Sequence, residues 1–297
     1  MADQTLQAPF VAPARLTTGQ QNWRRFSSNP TAVIGAAIVV LVVLAAIFAP
    51  YLAPYPTHAG EIVNFRARHH PPSLQYWFGT DDVGRDIFSR VLFGYRVSLI
   101  LAIVVLGIAV PLGTTLGLLA GYFGGWIEII IMRLTDIALG IPPLVMALAV
   151  SSILSPNLIN AMLAISILWW TWHTRLIYSI TRTLRGQEFV EAARTLGASP
   201  FHILFREILP NCVSAISVKV SLDAGFVILI GATLSFLGLG VQPPTPDLGT
   251  MVASGANFLP DNWWESILPG FAILFVTLGF NLLGDGLRDL FDVEEVR

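Results

Sequence analysis

Few side chains in this sequence can act as nucleophile, base or ligand, and they do not converge. The single lysine, Lys219, sits in Ser217-Val218-Lys219-Val220. A phosphate-cradling P-loop needs Gly-x-x-x-x-Gly-Lys followed by Ser or Thr, because the lysine must reach the phosphates. The chain carries no such loop, so ATP hydrolysis of that kind must come from a partner. The single cysteine, Cys212, excludes an internal disulfide and any C-x-x-C site. The histidines are His58, His69, His70, His173 and His202, with no H-E-x-x-H spacing. Tandem His69-His70 reads as a solvated loop pair, since metal sites usually gather three or four ligands. No Gly-x-Ser-x-Gly nucleophile segment occurs either. No catalytic, metal or cofactor site is therefore expected in this chain.

What remains is charge placed inside apolar sequence. Arg133 and Asp136 lie three apart, and Lys219 and Asp223 four apart, so each pair can share one face of a helix. Ionisable groups at membrane depth are functional candidates by default. Interfacial anchoring by snorkelling is the competing reading. Pro142-Pro143 removes two backbone donors from a helical stretch. Such breaks are tolerated where a cavity or neighbouring helices compensate. Pro142, Pro143 and Asp223 are thus the candidate pathway or gate residues. Thr80 or Asp81 can cap a helix carrying Ile87, Val91 and Leu92 at helical spacing. Arg85 and Asp86 on that segment offer either a partner contact or a local salt bridge.

The elements that must hold these residues follow from the distribution of charge. Of the 297 residues, 54% are hydrophobic and only 12% charged, where a soluble domain carries about 25%. A net charge of −2 argues against nucleic-acid binding. Charge is absent from 26–60, 97–127, 137–174, 224–246 and 266–284. A helix needs roughly 20 apolar residues to cross the hydrocarbon core. Six spans are expected: Thr31–Leu52, Ser98–Gly121, Trp126–Ser152, Leu158–Ile180, Cys212–Leu239 and Ser266–Leu290. The fold class is an all-α membrane protein. It divides into an N-terminal segment 1–30, a first span 31–53, an outer segment 54–96 with an amphipathic helix, and a five-helix core 97–292. With the N-terminus inside, the inner segments hold Arg15, Arg24, Arg25, Arg175, Arg182, Arg185, Arg194, Arg206, Arg288 and Arg297. The outer ones hold Arg66, Arg68, Arg85, Arg90 and Arg96, so the positive-inside rule puts both termini in the cytoplasm. Trp169-Trp170 and Trp263-Trp264 suit interfacial belts, with bundle packing as the alternative for the former.

One loop breaks the pattern. Residues 175–223 hold ten charged side chains between nearly neutral helices. Within it, Phe189, Ala192, Ala193 and Leu196 recur at helical spacing, and Gly197 fits a helix stop. A second amphipathic piece, Phe201–Ile208, is expected to end at Pro210. The loop presents an apolar stripe to a partner, or lies flat at the headgroups.

Glu191-Ala192-Ala193, Gly197 and Leu209-Pro210 resemble the EAA loop of permease subunits of binding-protein-dependent ABC importers; Glu207 departs from that family's usual Ile. Phe78-Gly79-Thr80-Asp81-Asp82-Val83-Gly84-Arg85-Asp86 through Arg90 is similar to the G-T-D-x-x-G-R-D-x-x-S-R segment of the C-type permease in dipeptide, oligopeptide and nickel importers. So are Ser235 to Pro244 and Phe280 to Asp289. The resemblance covers most of 75–292. It implies a type I ABC importer permease fold in the bacterial inner membrane. The implied partners are a second related permease forming a heterodimer, two cytoplasmic ATPases holding ATP and Mg, and a periplasmic or lipoprotein substrate-binding protein. It implies that the loop 181–211 couples to an ATPase, with Glu191 bonding at the groove, Ala192 and Ala193 allowing close approach and Gly197 allowing the turn. Plain helix propensity is the alternative for the alanines. The ligand that the resemblance implies is a dipeptide or oligopeptide, or else glutathione, a nickel chelate or another small solute. A self-sufficient secondary transporter is the rival class. It would need midplane ionisable groups, which are few here.

Overall fold

The computed structural model describes residues 23, 24 and 26–292. Arg15, Arg25 and Arg297, and most of the segment 1–30, lie outside the described residues. Among those described there is no strand beyond an isolated antiparallel bridge of Thr80 to Asp86.

Helix α1 spans Pro30–Ile47; the Asn29 side chain accepts from Thr31 N and Ala32 N, and Pro30 occupies the first turn, where its missing N–H costs nothing. A helical turn, Ala49–Leu52, follows. Helix α2 runs Ile87–Phe123, capped by Asp86 accepting from Ser89 N at 2.8 Å. Helix α3 is Gly125–Leu139 and α4 Pro143–Ile153. Helix α5 is Leu158–Leu184, capped by Asn157, and α6 is Glu188–Thr195. A turn at Pro200–His202 and a π-helical stretch Ile203–Ile208 lead into α7, Leu209–Phe236. Helix α8 is Leu248–Ala256, capped by Asp247, and α9 is Trp264–Asp292.

Among the described residues, four helical runs are long and apolar enough to cross a membrane: Pro30–Ile47, Ile87–Phe123, Pro200–Phe236 and Trp264–Phe291. The α3–α4 pair makes a fifth if counted as one span. It bends by 88°, because Pro143 has no N–H to give and Pro142 is driven out of the helical region by the proline after it. The break expected at Pro142-Pro143 is therefore a sharp corner. Helix α5 is long enough at 27 residues, yet is not among the apolar spans. Its polar residues His173, Thr174 and Thr181 are buried inside the bundle.

Three expectations need correction. No separate amphipathic helix precedes the second span, and neither Thr80 nor Asp81 is a cap. Asp81 Oδ1 accepts from Val83 N and Arg85 N within the loop, leaving Asp86 to start one continuous helix. The helix after the loop does not stop at Pro210. The missing donor of Pro210 is absorbed by a π-bulge just before it, where Leu209 N–H bonds Leu204 O. Asp136 pairs with Arg175 on α5, and not with Arg133 on its own helix.

Helices α2 and α5 meet along backbone. Gly113, Gly117 and Gly121 fall on one face of α2. A Cβ there would lie 2.6 Å from His173 Cβ, 2.7 Å from Thr174 O and 2.7 Å from Thr181 Cβ respectively. Small residues at four-residue spacing permit this approach in a bilayer, where close packing holds helices together. Gly35, Gly279 and Gly286 likewise seat α1 on α9. The main core joins α1, α2, α5, α7, α8 and α9 through residues such as Val42, Val105, Ile165, Ile228, Leu248 and Val276. Trp169 and Trp264 are buried in it, while Trp263 stays exposed.

Candidate functional site

The charged loop folds back onto one end of the bundle. Val190 is fully buried, in a cluster with Leu118 and Tyr122 of α2, Ile177 of α5, and Ile203, Leu204, Ile208 and Cys212. Val190 is the one fully buried side chain of α6. The stripe read from the sequence divides: Ala193 packs inward against the cluster, whereas Phe189, Ala192 and Leu196 face out. Leu196 is 88% exposed, and Phe201 and Phe205 extend the open apolar surface. Glu191 and Arg194 stand exposed beside it. The Arg194 guanidinium lies 5.8 Å from the Tyr122 ring centroid.

Gly197 ends α6 at φ +81°. Its N–H bonds Arg194 O at 3.0 Å, and Ala198 N–H bonds Ala193 O at 3.0 Å. This is a Schellman closure, which needs a left-handed residue. Open space surrounds the position where a Cβ would sit. Glycine is therefore demanded by backbone conformation and not by crowding within the chain. Leu209 is half-buried and Pro210 exposed, both at the root of α7.

Behind the loop, deeper in the bundle, lies a polar cluster. Lys219 Nζ is 2.5 Å from Asp223 Oδ1, as their spacing predicted. Asp223 is 1% exposed, and its other oxygen lies 3.1 Å from Nε2 of the fully buried His173 on α5. That approach is not aligned as a hydrogen bond, since neither atom finds a bonded partner. The Lys219 ammonium also lies 5.6 Å from the Trp172 ring centroid. His173 escaped the sequence reading because its partner is fifty positions away on another helix.

The opposite end carries a cap built from residues 53–86 and the 241–265 region. Arg85 Nε bonds Asp81 Oδ2 at 2.7 Å, so the local salt bridge is formed, to Asp81 and not to Asp86. Asp86 is buried; its N–H donates to His58 Nδ1 at 2.8 Å. Burial pushes the Asp86 carboxyl above the usual carboxylate range, against its bonds from Ser89 and the charge of His58. Burial also pushes the His58 imidazole below its usual range, against Asp86 and Asp81. The buried Arg90 donates to His58 O at 3.1 Å and Pro244 O at 3.4 Å. His69 meets Glu265 at 2.5 Å, and Trp264 Nε1 donates to Thr80 O at 3.3 Å. These bonds fasten the cap to α9. Among the described residues no group of three His, Cys, Asp or Glu side chains is placed to hold a metal ion.

Comparison with known proteins agrees with this architecture. Residues 113–293 match the family model for the binding-protein-dependent transport system inner membrane component. Residues 17–72 match the N-terminal transmembrane domain of oligopeptide transport permease C. The chain is 47% identical over 264 residues to the probable D,D-dipeptide transport system permease protein of Escherichia coli K12, covering 89% of this chain and 88% of that one. It is 40% identical over 280 residues to the dipeptide transport system permease protein of Haemophilus influenzae, covering 92% and 94%. It is 41% identical over 276 residues to the glutathione transport system permease protein of Pectobacterium atrosepticum, covering 93% and 91%. A helical bundle with four or five apolar spans, a small helix docked at one end and a match from residue 113 to 293 are together sufficient: the chain belongs to the family of binding-protein-dependent transport system inner membrane components.

Proposed function

We propose that this chain is the permease through which an ATP-driven importer moves small peptides across the inner membrane. The observation that carries this reading is α6: a short helix anchored chiefly by Val190, with Glu191, Ala192 and Leu196 left open to a partner. In this reading α6 seats in a cytoplasmic ATPase, which supplies the hydrolysis that Lys219 is not placed to support. Both termini are cytoplasmic, and α5 and the bent α3–α4 pair complete six spans. A second, related permease pairs with this one around the pathway, and a substrate-binding protein delivers ligand to the cap. Arg85 and Asp86 then act within the chain, by fixing that cap. The corner at Pro142-Pro143 and the buried Asp223 border the pathway. The relatives' names span D,D-dipeptides, dipeptides and glutathione, which supports a small peptide as ligand.

Glu191→Lys, or deletion of 188–200, is expected to abolish peptide uptake and binding-protein-stimulated ATP hydrolysis while the chain still inserts in the membrane. Normal ATP-driven uptake by the deletion variant would overturn the reading.

A further inference from the structure

A cleft of about 730 Å³ opens at the end of the bundle that carries α6. It lies between the last turns of α5, the first half of α7 and the last turns of α9. The volume falls within the roughly 300–1,000 Å³ of small-ligand sites. Thr183, Asn211 and Ser214 give it polar edges near the mouth. Lys219 stands ten residues up α7 from Leu209, about 15 Å along the axis at 1.5 Å per residue. Among the described residues, the charged side chains on the cleft wall are Lys219 and Arg288. The Asp223 carboxylate bonded to the ammonium is 2% exposed and is not part of the cleft lining. The Lys219 side chain keeps 29% exposure. An ammonium has three donors, and the bond to Asp223 uses one.

We infer that this cleft is a carboxylate-receiving site, and that Lys219 binds the terminal carboxylate of the peptide as it leaves the pathway. The buried pair fits the role. Asp223 holds the ammonium in place, and its burial beside His173 of α5 leaves it little room to move, so the donors are aimed before the ligand arrives. Because the pairing with Asp223 persists, the incoming carboxylate gains only part of the charge, and the ligand can leave again. This inference rests on the peptide-importer reading above and deepens it.

Lys219 is the only lysine of the chain, so amine acylation followed by peptide mapping reads its accessibility directly. The experiment uses the assembled importer in phosphatidylcholine vesicles, turning over ATP with dialanine or with dialanine amide. Dialanine is expected to slow acylation of Lys219 at least threefold, while the amide leaves the rate unchanged. Equal protection by both peptides, or by neither, would overturn the carboxylate site. So would slowing that appears only when phosphatidylglycerol is added, since a lipid phosphate would then be the anion bound. Dialanine uptake in the same vesicles separates the two levels. ATP-driven uptake with an unprotected Lys219 sinks this inference alone, and no uptake sinks the importer reading beneath it. A Lys219→Arg variant that retains preference for dialanine over its amide in uptake, beside a Lys219→Gln/Asp223→Asn variant that loses it, is the expected companion result.

Discussion

Val190 is the side chain on which the coupling reading depends most directly. It is fully buried among Leu118, Tyr122, Ile177, Ile203 and Leu204, while its neighbours Phe189 and Glu191 face outward. Val190→Ala removes two buried carbon groups. At about 0.8 kcal/mol each the transfer loss is about 1.6 kcal/mol, and incomplete collapse around the gap brings it to roughly 2 kcal/mol. Helix α6 is only eight residues long and too short to hold its shape undocked. The loss therefore falls on local docking and not on the bundle, opening α6 about 30-fold more often. Hydrogen exchange of the α6 amides in the purified permease should accelerate by that factor, while amides of α2 and α9 stay unchanged. ATP hydrolysis stimulated by the binding protein should fall with it. Leu196→Ala is the counter-variant: its side chain is 88% exposed, so exchange should be unaltered while association with the ATPase weakens. If Val190→Ala leaves α6 exchange at the wild-type rate, Val190 is not the anchor and the docking argument fails.

Gly117→Val should lower the thermal midpoint of the purified permease sharply. Its Cβ would lie 2.7 Å from Thr174 O and 2.8 Å from Ile177 Cβ, an overpacking that costs about 1–3 kcal/mol or more. Gly107→Val, on the same helix with nothing within 4 Å, is the control; equal midpoints would refute the stripe. Lys219→Met leaves the Asp223 carboxylate buried without its cation, a loss of about 3–5 kcal/mol. Lys219→Met/Asp223→Leu should regain most of it in a denaturation series, and no regain would mean the pair is not coupled. The cap should loosen on mild acidification. Burial depresses His58, so its contribution is present above the ordinary histidine value of about 6.5 and is lost as pH falls through the lower folded value. Asp86 has a raised pKa and works in the opposite sense, its contribution lost as pH rises through the folded value. Exchange of cap amides, corrected for intrinsic rate, should rise as pH falls below about 6.5. His58→Gln, which keeps an acceptor for Asp86 N–H but does not titrate, should flatten that rise; an unchanged slope would exclude His58 as the cause.

The parts of this fold visible in the sequence are those with a local physical signature. The charge-free runs located α1, α2, α7 and α9 because a span is written in consecutive residues. The α6 loop stood out because its charge contrasts with both neighbours, and Gly197 because a helix stop needs a left-handed residue. What escaped was set by distant partners. Arg133 lies nearer to Asp136 in sequence than Arg175 does, and only packing of α3 against α5 decides for Arg175. Val190 is one valine in a polar loop, and nothing local marks it as buried. Helix α5 was readable as a helix, but its lower apolarity had its reason elsewhere: Thr174 and Thr181 face the α2 glycines. The spacing of Gly113, Gly117 and Gly121 was a readable signal for that contact. The expected amphipathic helix before the second span failed because Asp81 spends one oxygen on the loop's own amides and the other on the Arg85 side chain.

The same contacts decide how a push on α6 would travel. Helix α6 rests on the end of the α2–α5 pair, through Tyr122, Leu118 and Ile177. Those two helices touch by backbone at three successive glycines, so no long side chains lie between them to bend or change rotamer. A displacement delivered there moves the pair as one body. Helix α2 is 37 residues long, about 55 Å at 1.5 Å per residue, far more than the roughly 30 Å of hydrocarbon. Its other end is fastened into the cap by Asp86 and by Arg90, which bonds His58 O and Pro244 O. A shift at α6 therefore reaches the cap along one continuous helix, whose interior break at Pro111 is bridged locally by Thr115 Oγ1 bonding Pro111 O. The joint is elsewhere, at the 88° corner between α3 and α4, where Pro142-Pro143 has already given up the backbone bonds that stiffen a helix. A rigid shaft beside a broken span is the combination that hinge-and-rigid-body switching requires. In the importer reading proposed above, the movable wall lies on the α3–α4 side of the bundle and the transmitting one on α2 and α5.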